Sequence, residues 1–102
     1  ALGGERLSET AARLPKYVML KKKAPLDYTA IYKAIRRVRS RAGRDGGGGA
    51  LDLADGVKLE WKNAWLHVRP SATEALIRII AEARTRKRAE ELVSMAEDWI
   101  SE

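Results

Sequence analysis

Residues 57–69 read VKLEWKNAWLHVR, and apolar side chains alternate with polar ones over most of this stretch. Alternation with a period of two is typical of strands that bury one face. Lys62-Asn63 supplies a turn between the two halves, so the stretch predicts a β-hairpin. Further on, residues 76–83 (LIRIIAEA) are β-branched and mostly apolar, which predicts a strand in the middle of a sheet.

Two segments predict amphipathic helices. In the first, Asp27 stands where its side chain can cap the opening turn, and the helix should end near Gly43. Its apolar positions repeat at helical spacing: Ile31, Ala34, Ile35 and Val38. The second helix follows Thr85 as its cap. Its predicted buried face is Ala89, Leu92, Val93, Ala96, Trp99 and Ile100.

The remaining segments complete the predicted fold. Residues 17–20 are apolar and run into three lysines, which suits a strand that leaves the core. Residues 5–14 show helical spacing and predict a short helix that ends before Pro15, and glycines 46–49 predict a flexible connector. We therefore expect an α+β fold: an antiparallel sheet of about four to five strands, two helices packed on one face, and a short N-terminal helix.

Composition narrows the class of protein. The chain has 102 residues, a net charge of +6, no cysteine and one histidine. These numbers favour one domain with one core and argue against a disulfide framework, a cysteine nucleophile or a histidine metal cluster. We read the lysine and arginine clusters as solvated faces and helix ends, and the lack of a long apolar run or signal peptide indicates a cytoplasmic, non-membrane protein.

The turn at residues 69–75 (RPSATEA) carries an unusual concentration of hydrogen-bond donors. Arg69 offers a planar fork suited to two phosphate oxygens, and Ser71 and Thr73 add hydroxyl groups. The small Ala72 lets backbone N–H groups approach an anion. The composition predicts a phosphate-binding turn, in which Glu74 either orients Arg69 or faces water.

Two neighbouring residues have open interpretations. Arg78 either reinforces the anion site from the uncovered face of the sheet or pairs across strands with Glu60 or Glu82. His67 should point to the same face as Trp65 and Arg69, since side chains two apart on a strand share a face. As a lone titratable ring, it is read as a structural or surface residue rather than a catalyst.

The sequence resembles the last domain of the α-D-phosphohexomutases, the family of phosphoglucomutase, phosphomannomutase and phosphoglucosamine mutase. That domain's hallmark, Arg-Pro-Ser-Gly-Thr-Glu-Pro, is similar to residues 69–75. It follows an Asp-Gly-Val strand and a Trp-containing strand, as at residues 55–57 and 65–68, and precedes a strand ending in Ala-Glu-Ala, as at residues 81–83. The approach to the domain also looks like residues 7–17, so the resemblance spans almost the whole chain.

The resemblance implies a role in a larger, four-domain enzyme that moves phosphate between the 1- and 6-positions of a hexose. Residues 1–14 would be the end of an interdomain linker or helix, and residues 15–102 the C-terminal domain that binds the substrate's non-reacting phosphate. The implied ligands are Arg69, Ser71, Thr73 and the backbone at Ala72. The implied partners are a hexose phosphate and the N-terminal domains of the same enzyme.

The same resemblance implies that the phosphate-transfer chemistry takes place in other domains of the enzyme. The family's phosphoserine and Mg²⁺ loop lie in its first three domains, so we expect no catalytic residue, metal or cofactor in this domain, no turnover by the domain alone, and Mg²⁺ in the full-length enzyme. This chain departs from the hallmark at Ala72 and Ala75, where the family usually has glycine and proline. If the turn requires a left-handed backbone at Ala72, alanine is strained there by about 1–2 kcal/mol; a right-handed turn carries no such cost.

Two other functions compete. A nucleic-acid-binding module would draw on the +6 charge and on the fold of the family's last domain, which is like that of TATA-binding protein. The uncovered face offers no aromatic pair at RNA-reading spacing, so nucleic acid is the alternative rather than the main reading. A pure interaction domain would need a large apolar surface patch.

Overall fold

The structure, a computed structural model, describes residues 17–102. Its elements, in chain order, are β1 (Val18–Pro25), α1 (Tyr28–Asp45), β2 (Ala50–Asp52), β3 (Val57–Trp61), β4 (Ala64–Pro70), β5 (Leu76–Ala83) and α2 (Arg86–Ser101). The predicted α+β class, with a five-stranded sheet and two helices, is confirmed. The helix predicted at residues 5–14, and the whole of the segment 1–14, lie outside the described residues.

All strand pairs in the sheet are antiparallel, in the order β1-β5-β4-β3-β2. The hairpin predicted at residues 57–69 is β3 and β4, joined at Lys62-Asn63, and residues 76–83 form β5 between β1 and β4. Both predictions are confirmed. Because β5 is paired along both edges, the start of β5 and the end of β4 are fixed relative to each other by a continuous ladder.

Alternation gives the sheet two different faces. The core face carries the residues that both helices cover: Val57, Leu59, Leu66, Val68, Ile77, Ile79, Ala81 and Ala83. The other face, called the open face below, carries Lys58, Trp65, His67, Arg69, Arg78, Ile80 and Glu82. Helices α1 and α2 contact each other and the sheet, and they pack on the same face, as predicted, which leaves the open face uncovered within residues 17–102.

The predicted helical faces hold with one correction. All six residues of the predicted α2 face are buried, and the Thr85 hydroxyl oxygen accepts a hydrogen bond from Arg88 N at 3.1 Å. In α1 the buried stripe is Ile31, Ala34, Val38 and Ala42, whereas Ile35 is only partly buried. The four buried residues are three, four and four positions apart, a spacing that keeps them on the side of the helix that faces the sheet and α2. Ile35 is not part of this series and is therefore only partly covered.

Three other expectations for α1 and β1 require correction. Asp27 is the N-cap residue, but its side chain makes no capping hydrogen bond, and α1 continues past Gly43 to Asp45. Strand β1 extends through the three lysines to Pro25, because β5 provides a pairing partner for every one of its residues. Lysines along the edge strand of a sheet also discourage pairing with another chain.

The ends of the two helices are tied together by arginines of α1. The Arg37 guanidinium donates to the backbone carbonyl oxygens of Trp99 and Ile100, in the last turn of α2. Arg41 contacts both Asp45 and Glu102, and the hydrogen bonds that its guanidinium donates to these two carboxylates raise the pKa of Arg41 above its ordinary value. These contacts fix the helix layer and lie on the opposite side of the sheet from the open face.

Candidate functional site

The connection between β4 and β5 is a five-residue loop, residues 71–75. Ser71 N donates to Leu76 O at 2.9 Å and Leu76 N donates to Glu74 O at 2.9 Å, which closes the loop on itself. Leu26 N donates to Ala75 O at 3.1 Å, so the segment after β1 also holds the loop. The loop is therefore exposed but anchored to two strands and to the entry of α1.

Within the loop, backbone N–H groups converge on one oxygen. The Ser71 hydroxyl oxygen accepts from Thr73 N at 3.3 Å and from Glu74 N at 3.2 Å. Among the described residues, the N–H group of Ala72 has no hydrogen-bond acceptor. Successive N–H groups that point toward one place form a concave site for an anion, and an anion oxygen can replace the hydroxyl oxygen as their acceptor.

Arg69 lies beside this loop rather than in it, which corrects the predicted extent of the turn. Arg69 and Pro70 are the last two residues of β4, because the ladder with β5 continues to the pair Pro70 and Ile77. The Arg69 side chain is on the open face and is 41% exposed, with its Nη1 3.1 Å from Asp55 Oδ2. The strand gives Arg69 a fixed backbone, which a mobile turn would not.

All four predicted ligands thus lie at one end of the sheet. Arg69 and Ser71 are partly exposed, and Ala72 and Thr73 are exposed, so each is accessible to a ligand. The structure gives the hydroxyl oxygen of Ser71 a role that the sequence did not suggest, because it accepts hydrogen bonds from the backbone of its own loop. The donors contributed by this loop are chiefly main-chain N–H groups, with Arg69 as the charged group beside them.

Asp55 is the site residue that sequence reasoning missed. Its carboxylate contacts Arg69, and its backbone carbonyl oxygen lies 2.6 Å from His67 Nε2. Gly56 has a φ of 76°, and a Cβ there would lie 2.5 Å from Val68 O and 2.8 Å from Arg69 Cβ. The sequence does contain a signal for this contact, the Asp-Gly pair immediately before a strand. Asp and Gly are typical of a tight turn, and such a turn can place its first residue next to the neighbouring strand.

The open face next to the loop is rich in cations. Arg78 on β5 is the register partner of Arg69 on β4 and of Lys23 on β1. Glu74 pairs with Arg78, at 3.6 Å from Nη2, so its partner is Arg78 rather than Arg69. Arg78 does not form the alternative cross-strand ion pair with Glu60 or Glu82 that the sequence allowed.

Farther along the open face, charges of both signs alternate with aromatic groups. Glu82 instead accepts a hydrogen bond from Trp65 Nε1 at 2.9 Å, and Lys58 Nζ lies 5.3 Å from the centre of the same ring. His67 shares this face with Trp65 and Arg69, as predicted. Its contact with Asp55 O assigns it a structural role, in which Nε2–H donates to the carbonyl oxygen.

Other classes of site find no support in the described residues. Within residues 17–102, no group of three or more His, Asp or Glu side chains is placed to hold a metal ion. Neither helix of that region combines the length and apolar character needed to cross a membrane. The arrangement suits binding of a small anion at the surface.

Comparison with known proteins identifies the family of the chain. The family model described as phosphoglucomutase/phosphomannomutase, C-terminal domain, matches residues 16–98. A probable phosphoglucosamine mutase of Pyrococcus abyssi is 33% identical over 96 residues, which are 94% of this chain and 21% of that protein. A probable phosphoglucosamine mutase of Methanosarcina acetivorans is 36% identical over 98 residues, which are 96% of this chain and 21% of that protein.

A protein named phosphoglucomutase/phosphomannomutase, from Thermococcus kodakarensis, is 32% identical over 97 residues, covering 93% of this chain and 20% of its own length. The chain belongs to the family of phosphoglucomutase/phosphomannomutase C-terminal domains. The resemblance drawn from residues 55–83 is therefore confirmed. The chain spans about a fifth of the length of the relatives it matches.

Proposed function

We propose that this domain binds the non-reacting phosphate of a hexose phosphate while the rest of a phosphohexomutase transfers phosphate between the 1- and 6-positions. The observation that carries the proposal is the convergence of the Thr73 and Glu74 N–H groups on one oxygen, beside a guanidinium held by Asp55. Family membership and the mutase names of the relatives support it.

The proposed contacts follow from the hydrogen-bond donors that Arg69 and loop 71–75 present. Arg69 uses one nitrogen for Asp55 and keeps its other N–H groups for phosphate oxygens. The loop offers the N–H of Ala72 together with those of Thr73 and Glu74, which an incoming oxygen takes over from Ser71. The Ser71 and Thr73 hydroxyl groups can then rotate to donate to the same phosphate.

The contribution to catalysis is positional. Contacts with a part of the substrate that does not react orient the part that does, and so convert binding energy into rate. The domain alone should therefore show no turnover. In the same proposal, the Mg²⁺ expected in the full-length enzyme is bound by its other domains.

The alternative, a nucleic-acid-binding module, has no support from the relatives, which carry mutase names. The open face also interrupts its cations with Glu60 and Glu82. That alternative predicts that the logarithm of affinity falls linearly with the logarithm of salt concentration, with a slope of about 0.9 per phosphate contacted.

The proposal is tested by following amide chemical shifts while the 102-residue chain is titrated with glucosamine 6-phosphate or glucose 1-phosphate. Saturable shifts should be confined to residues 69–75 and their neighbours on β5. Arg69→Gln should weaken binding about tenfold or more, because a charge-assisted hydrogen bond contributes about 1.5–3 kcal/mol. The control is Arg86→Gln, which removes the same charge from α2, where Arg86 pairs with Glu90.

Three outcomes would contradict a specific phosphate site: chemical-shift changes scattered over the lysine and arginine clusters, an equal loss of affinity in Arg69→Gln and Arg86→Gln, or chemical-shift changes that do not saturate. Those outcomes would indicate attraction of an anion by net charge alone.

A further inference from the structure

The exposed apolar side chains of the domain are unevenly distributed. In residues 17–102, five large apolar residues are exposed: Met19, Tyr28, Tyr32, Leu51 and Leu53. Tyr28 and Tyr32 are the most exposed, at 67% and 75%, and they are neighbours at i and i+4 on α1. Single apolar residues on a surface are ordinary, but a contiguous apolar patch marks an interaction site. The relative positions of these residues therefore matter.

Tyr28 and Tyr32 are on the flank of α1 that faces away from α2. Successive residues are about 100° apart around a helix axis, which places both tyrosines roughly 140–180° from Arg37 and Arg41. Those two arginines contact the end of α2. Since α2 packs over β1 and β5, and α1 over β3 and β4, the tyrosines face the β2 edge of the sheet.

Leu51 and Leu53 lie at that same edge. Leu51 is the register partner of Leu59, whose side chain is buried in the core, and directly paired residues share a face of the sheet. Leu51 is nevertheless 41% exposed, because α1 packs over β3 and β4 rather than over β2. Leu53 follows two positions later and is 42% exposed. Four of the five exposed side chains therefore border one surface, called the apolar flank below: Tyr28, Tyr32, Leu51 and Leu53.

The two edges of the sheet are protected to different degrees. Lysines and prolines commonly guard an edge strand against pairing with another chain. Strand β1 carries Lys21–Lys23 and Pro25, whereas β2 reads Ala50-Leu51-Asp52 and has neither residue type. Within residues 17–102, β2 pairs only with β3. Its outer edge therefore offers backbone donors and acceptors to another antiparallel strand.

We propose that the apolar flank and the β2 edge bind a second copy of this chain, in a two-fold dimer whose sheet continues through the two β2 strands. Such an interface is isologous, so each surface meets an identical one. Strand β2 has only three residues, so the side chains of the apolar flank supply most of the contact. The inference does not depend on the proposed function.

The dimensions of the joined sheet fit this arrangement. Because α1 lies over β3 and β4, the two α1 helices of the dimer are about four strand spacings apart, or roughly 19 Å. Two helices in direct contact are about 8–10 Å apart, so a gap of about 10 Å remains between them. Tyr28 and Tyr32 of each copy lie beside this gap, with Leu51 beneath them. The dimer thus buries the apolar side chains that one copy leaves in water.

The size of the flank and the charges beside it predict weak association. Aromatic side chains bury about 150–250 Å² each, so tyrosines exposed at 67% and 75% contribute roughly 200–350 Å² per copy. A standard interface buries about 800 Å² per partner, so the tyrosines form its apolar centre rather than the whole. Arg36 and Arg39 are exposed on α1 near the tyrosines, and the net charge is +6. Salt screens the repulsion between copies, so association should strengthen as ionic strength rises.

Sedimentation equilibrium of the 102-residue chain tests the proposal. Between about 10 μM and about 1 mM protein, the average mass should rise from one chain toward two and no further, because a two-fold interface is closed. The dissociation constant should be lower in about 0.5 M salt than in about 0.05 M salt. Amide shifts that change with protein concentration should lie in β2 and the first half of α1, and not in β1.

Matched variants locate the interface. Tyr32→Gln should raise the dissociation constant about tenfold, because the substitution acts twice in a two-fold dimer. Leu51→Lys places a charge on the edge in both copies and should leave only monomer at about 1 mM. Met19→Gln is the control, since Met19 is 46% exposed on β1 at the opposite edge, and it should change the constant less than about twofold. Urea unfolding shows whether each variant is folded, and Tyr28→Gln provides a second reading should Leu51→Lys unfold.

Four outcomes would overturn the inference. A chain that stays monomeric at about 1 mM in about 0.5 M salt does not form this dimer. Association that weakens as salt rises is held by ion pairs, which suit an acidic partner rather than a second copy. Equal effects of Met19→Gln and Tyr32→Gln place the contact elsewhere, and growth beyond two chains excludes a closed two-fold interface.

Discussion

Replacement of Gly56 by alanine should destabilise the domain and disturb Arg69 at the same time. Gly56 has a φ of 76°, and a Cβ added there would lie 2.5 Å from Val68 O, 2.8 Å from Arg69 Cβ and 3.0 Å from Arg69 Cα. Two of these three atoms belong to the backbone of β4, which is paired on both sides. The strand cannot move away without breaking its ladder.

The expected magnitude has two parts. A left-handed backbone costs a residue with a Cβ about 1–2 kcal/mol, and forcing extra volume into a packed position costs about 1–3 kcal/mol. The lower entropy of the unfolded alanine chain offsets about 0.4–1 kcal/mol. We therefore expect Gly56→Ala to lower the free energy of unfolding by about 2–4 kcal/mol, a large part of the 5–15 kcal/mol typical of a domain.

Two other glycines provide matched controls that separate the two parts. Gly48 has a φ of 80° with nothing within 4 Å of an added Cβ, so Gly48→Ala measures the backbone term alone. Gly43 lies inside α1 with open space around it, and Gly43→Ala should raise stability by about 0.5–1 kcal/mol. From most to least stable, the predicted order is therefore Gly43→Ala, the parent chain, Gly48→Ala and Gly56→Ala.

Urea unfolding followed by circular dichroism measures the four free energies on one scale, provided the m-values agree. The phosphate titration of Gly56→Ala should also show weaker binding, since the substitution pushes on the backbone that carries Arg69. If Gly56→Ala proves no less stable than Gly48→Ala, the close packing of loop 53–56 on β4 is wrong, and the positioning of Arg69 by Asp55 loses its basis.

Three further predictions concern the fold that carries the site. Val38→Ala should cost about 1–3 kcal/mol in urea unfolding, because Val38 is fully buried, and Ile35→Val, at a partly buried position, should cost less than about 1 kcal/mol; equal losses would contradict the observed stripe. Thr85→Ala should lower stability by about 1 kcal/mol through loss of the cap on Arg88 N, with Thr85→Ser largely restoring it. Lys22→Gln should change the unfolding free energy by less than about 0.5–1 kcal/mol although Lys22 Nζ lies 3.0 Å from Glu97, since both side chains are exposed.

The elements that were predictable from sequence are those whose pattern is dictated by local periodicity. The alternation of residues 57–68 and the apolar run 76–83 identified the sheet, and the spacing after Thr85 identified every buried residue of α2. The strand extension through Lys21–Lys23 was missed because pairing with β5, rather than side-chain polarity, determines where β1 ends. Pairing with a strand that is distant in sequence cannot be predicted from the residues of one strand alone.

The residues of the candidate site were predicted from the sequence, but their arrangement was not. The donor content of residues 69–75 predicted an anion-binding turn, yet the residues next to it in sequence do not show which carboxylate contacts which arginine. Asp55 is fourteen residues before Arg69, and only the register of β3 with β4, together with the close approach allowed by Gly56, brings the two side chains to 3.1 Å. Likewise, the register of β4 with β5 is what places Arg78 opposite Arg69.

The same organisation bears on the two departures from the family hallmark at Ala72 and Ala75. Glycine and proline adjust a turn through its own backbone, either by allowing unusual dihedral angles or by removing them. Here the turn is also held from outside, by Ser71 N on Leu76 O, by Leu26 N on Ala75 O, and by Glu74 on Arg78. Because Leu76 and Arg78 belong to β5 and Leu26 directly follows β1, these anchors come from elements that are already fixed in one ladder. The loop therefore depends less on special residues for its shape, and alanine at positions 72 and 75 is compatible with the loop that is observed.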